Sequence, residues 1–444
     1  MSLELPTPAS AHGDSDAARI SPRTVAHPLA VEAVADAATP ESHELASASQ
    51  VDDHAAADSA VQIYPGPSTD IDTPSGRPLG EAVALLMGAI VMQFAFYVFK
   101  FVSDVDILPW MRQRRISHHV DLGPKLGRCR LLIFLPPGGP NADSSPRPQG
   151  YIVHLHGGGW TTSRPEFEYI AARKMAMELK TAVVCPDYAK APQHPHPFAL
   201  MQMYAVLQWI ALGGLSRVLR GKRQIHWDPT SPPFRSDRIL LTGSSSGGNL
   251  AAALVLLVQA WGFYRSIPTT KEGYISAWVA RSDGTGQSDT KIAALGLMYP
   301  HVEAATTFQE KLAAMPVDAR KKLELPPAVS KFFLKCYLPG HIDREDIYVS
   351  PVLASDERLR MFPPTVVCTA EYDYLSGSSA TFANQLSKLA VNAKLVELRK
   401  VSHAFDLARA PFSAEKRKNN RIATEKSWGA IIECFREVMD DPAF

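Results

Sequence analysis

The chain has 444 residues, 46% of them apolar, with 46 basic and 45 acidic side chains and a formal net charge of +1. That length allows one large domain with additions, or two domains, and the apolar share is enough for a sizeable core. A balanced charge gives nucleic acid no electrostatic footing. The five scattered cysteines (Cys129, Cys185, Cys336, Cys368, Cys434) form no C-x-x-C pair and read as reduced, buried thiols, not as a disulfide framework.

Residues 1–78 are rich in Ala, Ser, Asp, Pro and His and nearly free of aromatics. Such a composition cannot offset the entropy of ordering, so a disordered tail is expected. Its first ten residues carry neither a basic start nor an apolar run, and no secretory signal is expected there. Residues 82–99 (AVALLMGAIVMQFAFYVF) are then apolar save for Gln93, with Glu81 and Lys100 as brackets. At 1.5 Å per residue this stretch just reaches across a thin hydrocarbon core, and a single-pass membrane anchor is expected within residues 79–115. The alternative is a helix lying over the mouth of a soluble site. Lys100, Arg112, Arg114 and Arg115 follow the stretch whereas only Arg77 closely precedes it, which would place the bulk of the chain on the cytoplasmic side.

From about residue 116 to the end, strands and helices alternate, the pattern of a mainly parallel sheet covered on both faces. Strands are expected at 129–135, 151–155, 182–185, 239–242, 295–299, 365–369 and 393–398. Helices are expected at 167–179, 200–212, 250–259, 378–389 and 423–439. A basic insertion covers 213–236, and 266–290 reads as an exposed loop. A helical stretch at about 301–348 interrupts the strands and suits a cap.

Within this frame, Gly243-Ser244-Ser245-Ser246-Gly247 has the G-x-S-x-G spacing of a strand-to-helix nucleophile elbow. A serine needs a base to take its proton and a carboxylate to orient that base. Downstream, Asp373 follows one predicted strand and His403 the next, in the order serine, acid, histidine. Glu371 is the fallback acid. Upstream, His156-Gly157-Gly158-Gly159-Trp160 follows a strand, and consecutive glycines let backbone N–H groups approach an oxyanion. Gly157, Gly158, Gly159 and Ser246 are the expected donors. No lysine follows the elbow as in a phosphate loop, and no residues have metal-ligand spacing, so neither cofactor nor metal is expected.

These motifs, together with Pro186-Asp187-Tyr188, Ala191-Pro192, Pro197-Phe198, Ser350-Pro351 and Ser402-His403-Ala404-Phe405, resemble the hormone-sensitive-lipase-like branch of the α/β-hydrolases. The resemblance covers roughly residues 115–440. It implies an α/β-hydrolase fold with a helical cap, and Ser245, His403 and Asp373 as nucleophile, general base and orienting acid. The implied activity is a serine carboxylester hydrolase acting on a small hydrophobic ester. The chain is similar to membrane-bound arylacetamide and steryl-acetate deacetylases. That likeness implies a short acyl group on a lipophilic alcohol, with an endoplasmic-reticulum membrane as the seat and the cytoplasm as the alternative. Three departures stand out: Ser244 and Ser246 where Asp and Ala are usual, Tyr374-Leu375-Ser376-Gly377 in the acid loop, and Ala404 after the histidine. Two rival readings stay open. One is amide hydrolysis, because the glycine loop also resembles that of kynurenine formamidases. The other is a silent binding module, as in the plant gibberellin receptors, which lose the histidine that this chain keeps.

Overall fold

Alternation of apolar side chains sets the two faces of the central sheet. In the computed structural model, which describes residues 76–103, 115–136, 150–220, 238–264, 287–288, 290–407 and 413–441, the strands of that sheet are Arg115–Asp121 (β1), Arg128–Phe134 (β2), Tyr151–Leu155 (β3), Val183–Asp187 (β4), Arg238–Ser244 (β5), Lys291–Met298 (β6), Thr365–Tyr372 (β7) and Ala393–Ser402 (β8), and Phe263–Tyr264 pairs apart from it with Gln287–Ser288. Their spatial order is β1-β2-β4-β3-β5-β6-β7-β8. β2 runs antiparallel to both β1 and β4, and every other pairing is parallel. This is the mostly parallel sheet expected from the sequence.

Tyr151, Val153 and Leu155 of β3 and Ile239 and Leu241 of β5 point to one face, and Ile152 and Leu240 to the other. The first face is covered by Phe198–Ala211 (α3), Gly214–Arg220 (α4) and Ser246–Trp261 (α5), and by Ser376–Lys388 (α10). The second face is covered by Tyr169–Glu178 (α2) and Ala414–Asp440 (α11). α5 is buried nearly all round, which is why its sequence is apolar without a polar stripe. Between β6 and β7 lie Phe308–Ala314 (α6), Val317–Arg320 (α7), Pro327–Tyr337 (α8) and Asp356–Arg360 (α9). α6 begins with a complete capping box, Thr307 with Glu310.

Several boundaries differ from expectation: β6 starts at Lys291, α5 at Ser246 and β7 ends at Tyr372, and β1 is not among the expected strands. β8 continues to Ser402 through an irregular register after Leu398, which carries the chain to the sheet edge just before His403. α11 begins at Ala414, because Ser413 caps it and a polar run (AEKRKNNR), largely exposed apart from Asn420, forms its first turns. The tail at 1–75, most of the basic insertion (221–237) and most of the loop at 266–290 fall outside the described residues.

The expected membrane anchor is corrected. Among the described residues no helix is long and apolar enough to cross a membrane. Leu79–Ser103 (α1) instead packs against the rest of the protein. Leu85 and Ala89 are buried, Gly88 meets the ring of Phe332, and Gln93 Nε2 donates to the carbonyl of Thr161 at 3.1 Å. Glu81 pairs with Lys335 at 2.9 Å, and Tyr97 packs edge-on against Phe167. The one polar residue of the stretch, Gln93, is used for docking. Hydropathy alone does not separate a span from a helix with one side laid on a protein.

Candidate active site

Parallel strands deliver their C-terminal ends to one edge of the sheet. The chain uses that edge five times, with His156–Gly159 after β3, Ser245 after β5, Tyr299–His301 after β6, Asp373 after β7 and His403 after β8.

Ser245 sits between β5 and α5 at φ 53°, ψ −116°, a conformation side chains rarely adopt. Its strain is held by hydrogen bonds on both sides: Ser245 N–H donates to Met298 O at 2.9 Å, and His301 N–H donates to Ser245 O at 3.2 Å. The flanking glycines are required by space. A Cβ on Gly243 would lie 2.3 Å from the carbonyl oxygen of Gly247, and one on Gly247 would lie 2.0 Å from that of Leu155. In the run 239–250 every residue is buried except Ser245, which is partly exposed. The turn therefore presents one hydroxyl.

The sheet edge brings the expected partners to it. His403 Nε2 lies 2.9 Å from Ser245 Oγ, and His403 Nδ1 donates to Asp373 Oδ2 at 2.6 Å. Asp373 is 2% exposed, and its second oxygen accepts from Leu375 N–H at 2.9 Å, which fixes the carboxylate plane. Glu371, the fallback acid, turns elsewhere and accepts from Lys400 N–H at 2.8 Å.

The glycine loop needs one correction. Gly157 N–H, expected among the oxyanion donors, donates to Glu168 Oε1 at 2.7 Å and so is not turned toward the serine. Gly158 and Gly159 remain, at φ +114° and +60°, and α5 opens at Ser246. A Cβ on Gly158 would fall 2.4 Å from Thr162 O, and one on Gly159 only 2.2 Å from the ring of Phe333. Only glycine fits either position.

A charged network supports the loop from below. His156 Nδ1–H donates to Gly157 O at 2.7 Å, which leaves Nε2 to accept from Lys190 Nζ at 3.2 Å. Burial and then the nearby Lys190 cation lower the His156 pKa to about 3, so the ring is neutral and is no rival base. Lys190 also donates to Asp187 Oδ1 at 3.0 Å, and Arg130 donates to Asp187 Oδ2 at 2.8 Å. Burial works to raise the Asp187 carboxyl, but Lys190, His156 and Arg130 together bring it down to about 2.

Ser245 and His403 open into a cavity of about 180 Å³, whose apolar wall includes Met92 of α1, Leu325, Val329 and Phe333 of α8, Leu375 and Leu407. A larger groove of about 780 Å³, lined by Arg77, Glu81, Phe308, Lys331 and Leu334, contains neither Ser245 nor His403. Among the described residues no group of three or more His, Cys, Asp or Glu side chains could hold a metal ion.

Sequence reasoning did not single out Glu168, Tyr188 as a hydrogen-bonding group, Tyr299 or His301. Tyr299 stacks obliquely on His403 with ring centroids 4.7 Å apart, and its hydroxyl donates to Asp406. His301, buried against Trp160, lines the cavity, and burial holds its pKa well below the usual range. The position of Tyr299 and His301 just after β6 is the one signal that was available.

Known proteins resemble this chain in sequence and fold. The family described as alpha/beta hydrolase fold matches residues 152–407. An esterase of Gibberella moniliformis is 26% identical over 265 residues, covering 60% of this chain and 69% of that protein. Arylacetamide deacetylase of Mus musculus is 26% identical over 272 residues, covering 54% of this chain and 64% of its own length. The crystal structure of a thermostable esterase from Pseudomonas putida superposes with a TM-score of 0.56 at 20% identity, covering 82% of this chain and 92% of that one, which establishes a shared fold. With that match spanning more than half of the sequence, the chain belongs to the α/β-hydrolase fold family, in its hormone-sensitive-lipase-like branch.

Proposed function

We propose that the protein is a serine carboxylic ester hydrolase in which Ser245 is the nucleophile, His403 the general base and then acid, and Asp373 the orienting carboxylate. The observation that carries this reading is the relay from Asp373 Oδ2 through His403 to Ser245 Oγ, with contacts of 2.6 and 2.9 Å. Ser245 Oγ attacks the ester carbonyl as its proton passes to His403 Nε2. The resulting imidazolium is stabilised by Asp373. The oxyanion is taken by the N–H groups of Gly158, Gly159 and Ser246, and by not that of Gly157. His403 then protonates the departing alkoxide. A water, deprotonated by the same ring, cleaves the acyl-enzyme and returns Ser245 to its resting state.

The cavity supports a hydrophobic ester with a short acyl group. Its volume is only about 180 Å³, and Met92, Leu325, Val329, Phe333, Leu375 and Leu407 give its wall an apolar side. In this reading α1 and the 301–348 segment form the cap of a catalytic domain at 116–444, since Met92, Leu325, Val329 and Phe333 lie over the serine. The outward side of α1 exposes Val83, Met87, Ile90, Val91 and Phe94. That stripe supports a seat on a lipid surface from which a membrane-dissolved ester could enter, without a spanning segment.

The test offers nitrophenyl acetate, butyrate and a matched anilide to wild type and Ser245→Ala. Ester turnover by wild type alone is expected, with the anilide slower. Equal ester turnover by both proteins would remove Ser245 from its role, and a preference for the anilide would make the enzyme an amidase. For the lipid seat, flotation with phosphatidylcholine vesicles should carry wild type upward and leave Ile90→Ser/Phe94→Ser at the bottom. Identical flotation of the two proteins would contradict it.

A further inference from the structure

The peptide plane between His156 and Gly157 is gripped at both ends by side chains. Its carbonyl accepts from Tyr188 Oη at 2.9 Å, and its N–H donates to Glu168 Oε1 at 2.7 Å. Behind Glu168 stands His154, whose Nε2–H donates to Oε2 at 2.7 Å. All three side chains are buried: His154 is 0% exposed, Tyr188 1% and Glu168 2%.

An ionised carboxylate in such a place is costly unless its hydrogen bonds are complete. Burial works to raise the Glu168 carboxyl, yet the bonds from His154 and from Gly157 N–H outweigh it and leave the group below its usual range. Glu168 is therefore a carboxylate beside the spot where a second negative charge would form on the substrate. Coulomb's law makes that neighbour unfavourable to an oxyanion. Its use in this place has to lie in geometry.

The geometry supplies one. After Gly157 the chain turns through φ +114° at Gly158 and +60° at Gly159. The directions of the next two N–H groups follow from the plane that precedes them, and glycines offer no side chain to hold it. Gly157 also lies against the elbow, where a Cβ would be 3.1 Å from Ser244 O and 3.3 Å from the Ser245 side chain. A small rotation of the plane would swing the loop donors relative to Ser245.

We propose that Glu168, backed by His154 and opposed by Tyr188, is a positioning residue for the oxyanion loop. It locks the His156–Gly157 peptide so that Gly158 and Gly159 N–H face the tetrahedral intermediate. This rests on the ester-hydrolase reading above. Glu168 acts through the peptide, so its loss should spare ground-state binding and damage the transition state.

The test compares Glu168→Ala, Glu168→Gln and Tyr188→Phe with wild type and Ser245→Ala. The readouts are kcat and KM on nitrophenyl acetate and the inhibition constant of a phenylboronic acid, which forms a tetrahedral adduct on serine. Glu168→Ala should lower kcat about 10²-fold with KM within about twofold, and should weaken the boronic acid in parallel. Glu168→Gln keeps an acceptor for Gly157 N–H, so it should recover at least about tenfold of that loss. Tyr188→Phe, which removes one hydroxyl and keeps the ring, should cost about tenfold in kcat, and it carries the test if Glu168→Ala does not fold. The inference is overturned if Glu168→Ala keeps kcat within about threefold, if its boronic acid affinity is unchanged, if Gln is no better than Ala, or if Tyr188→Phe matches wild type. Those results in an enzyme that still requires Ser245 would sink the positioning role alone. Turnover that is indifferent to Ser245→Ala would instead sink the reading on which it rests.

Discussion

Gly159→Ala adds one methyl group at the point where the oxyanion loop meets the cap. Its Cβ would lie 2.2 Å from Cδ2, 2.3 Å from Cγ and 2.8 Å from Cβ of Phe333, whereas carbon atoms in contact stand about 3.5–4.0 Å apart. The ring, or the loop beneath it, must retreat by roughly 1.3 Å or more. Residue 159 also sits at φ +60°, where an alanine costs about 1–2 kcal/mol. A misplacement near 1 Å in a catalytic group costs on the order of 10²-fold. Together these give an expected fall in kcat/KM of roughly 10²- to 10³-fold on nitrophenyl acetate, with the protein still folded by near-ultraviolet circular dichroism. Phe333→Ala removes the two closest atoms and keeps the Cβ at 2.8 Å. The double variant should therefore recover at least about tenfold over Gly159→Ala, with Phe333→Ala alone as the control for a widened cavity. A single variant within about threefold of wild type, or a double variant no better than the single, would refute the claim that Phe333 closes over this loop.

The remaining expectations concern the acid, the acyl cavity and the pH range of the fold. Asp373→Asn should lower kcat by roughly 10⁴-fold with little change in thermal midpoint, while Glu371→Gln should match wild type, because Glu371 bonds Lys400 N–H; the reverse ranking in nitrophenyl acetate assays would move the role. Val329→Ala removes two methyl groups from the cavity wall and should raise butyrate over acetate turnover several-fold, at about 0.8 kcal/mol per accommodated methylene; an unchanged ratio would place the acyl group elsewhere. His156 and His196, with pKa values lowered to about 3 chiefly by burial, stay neutral in the fold while the unfolded chain takes up protons near pH 6.5. Stability is then full above that range and falls by about 1.4 kcal/mol per pH unit for each histidine as the pH drops toward about 3. Asp187 adds a further loss as the pH falls from about 4 to about 2. Urea midpoints at pH 7, 6 and 5 should decline, and His196→Gln should flatten the decline; a level profile would contradict the linkage.

What the sequence disclosed depended on how local the signal was. Gly243, Ser245 and Gly247 meet one another within five residues, so their spacing is itself the geometry. His156–Gly159 likewise announces a side-chain-free loop after a strand. Asp373 and His403 needed only the rule that parallel strands end together, and the alternation of short apolar strands with helices was enough to predict the sheet. Glu168 lies eleven residues past Gly157 on a different element, and nothing in its neighbours distinguishes it from a surface glutamate. Its role appears only when the turn before α2 folds back under the loop. The same holds for Tyr188, whose hydroxyl reaches a carbonyl 32 residues earlier. The α1 stretch failed for another reason. Its run of apolar residues reads in sequence like a span, and the docking of Leu85, Ala89 and Gln93 is a tertiary fact that composition does not contain.

The most direct measurement of the central claim is covalent labelling of the resting enzyme with a fluorophosphonate, followed by peptide mass spectrometry and residual ester turnover. The expected result is one equivalent of label on the peptide that contains Ser245, loss of turnover in proportion to labelling, and no labelling of Ser245→Ala. Label on a different residue, or full ester turnover by an enzyme labelled at Ser245, would contradict it.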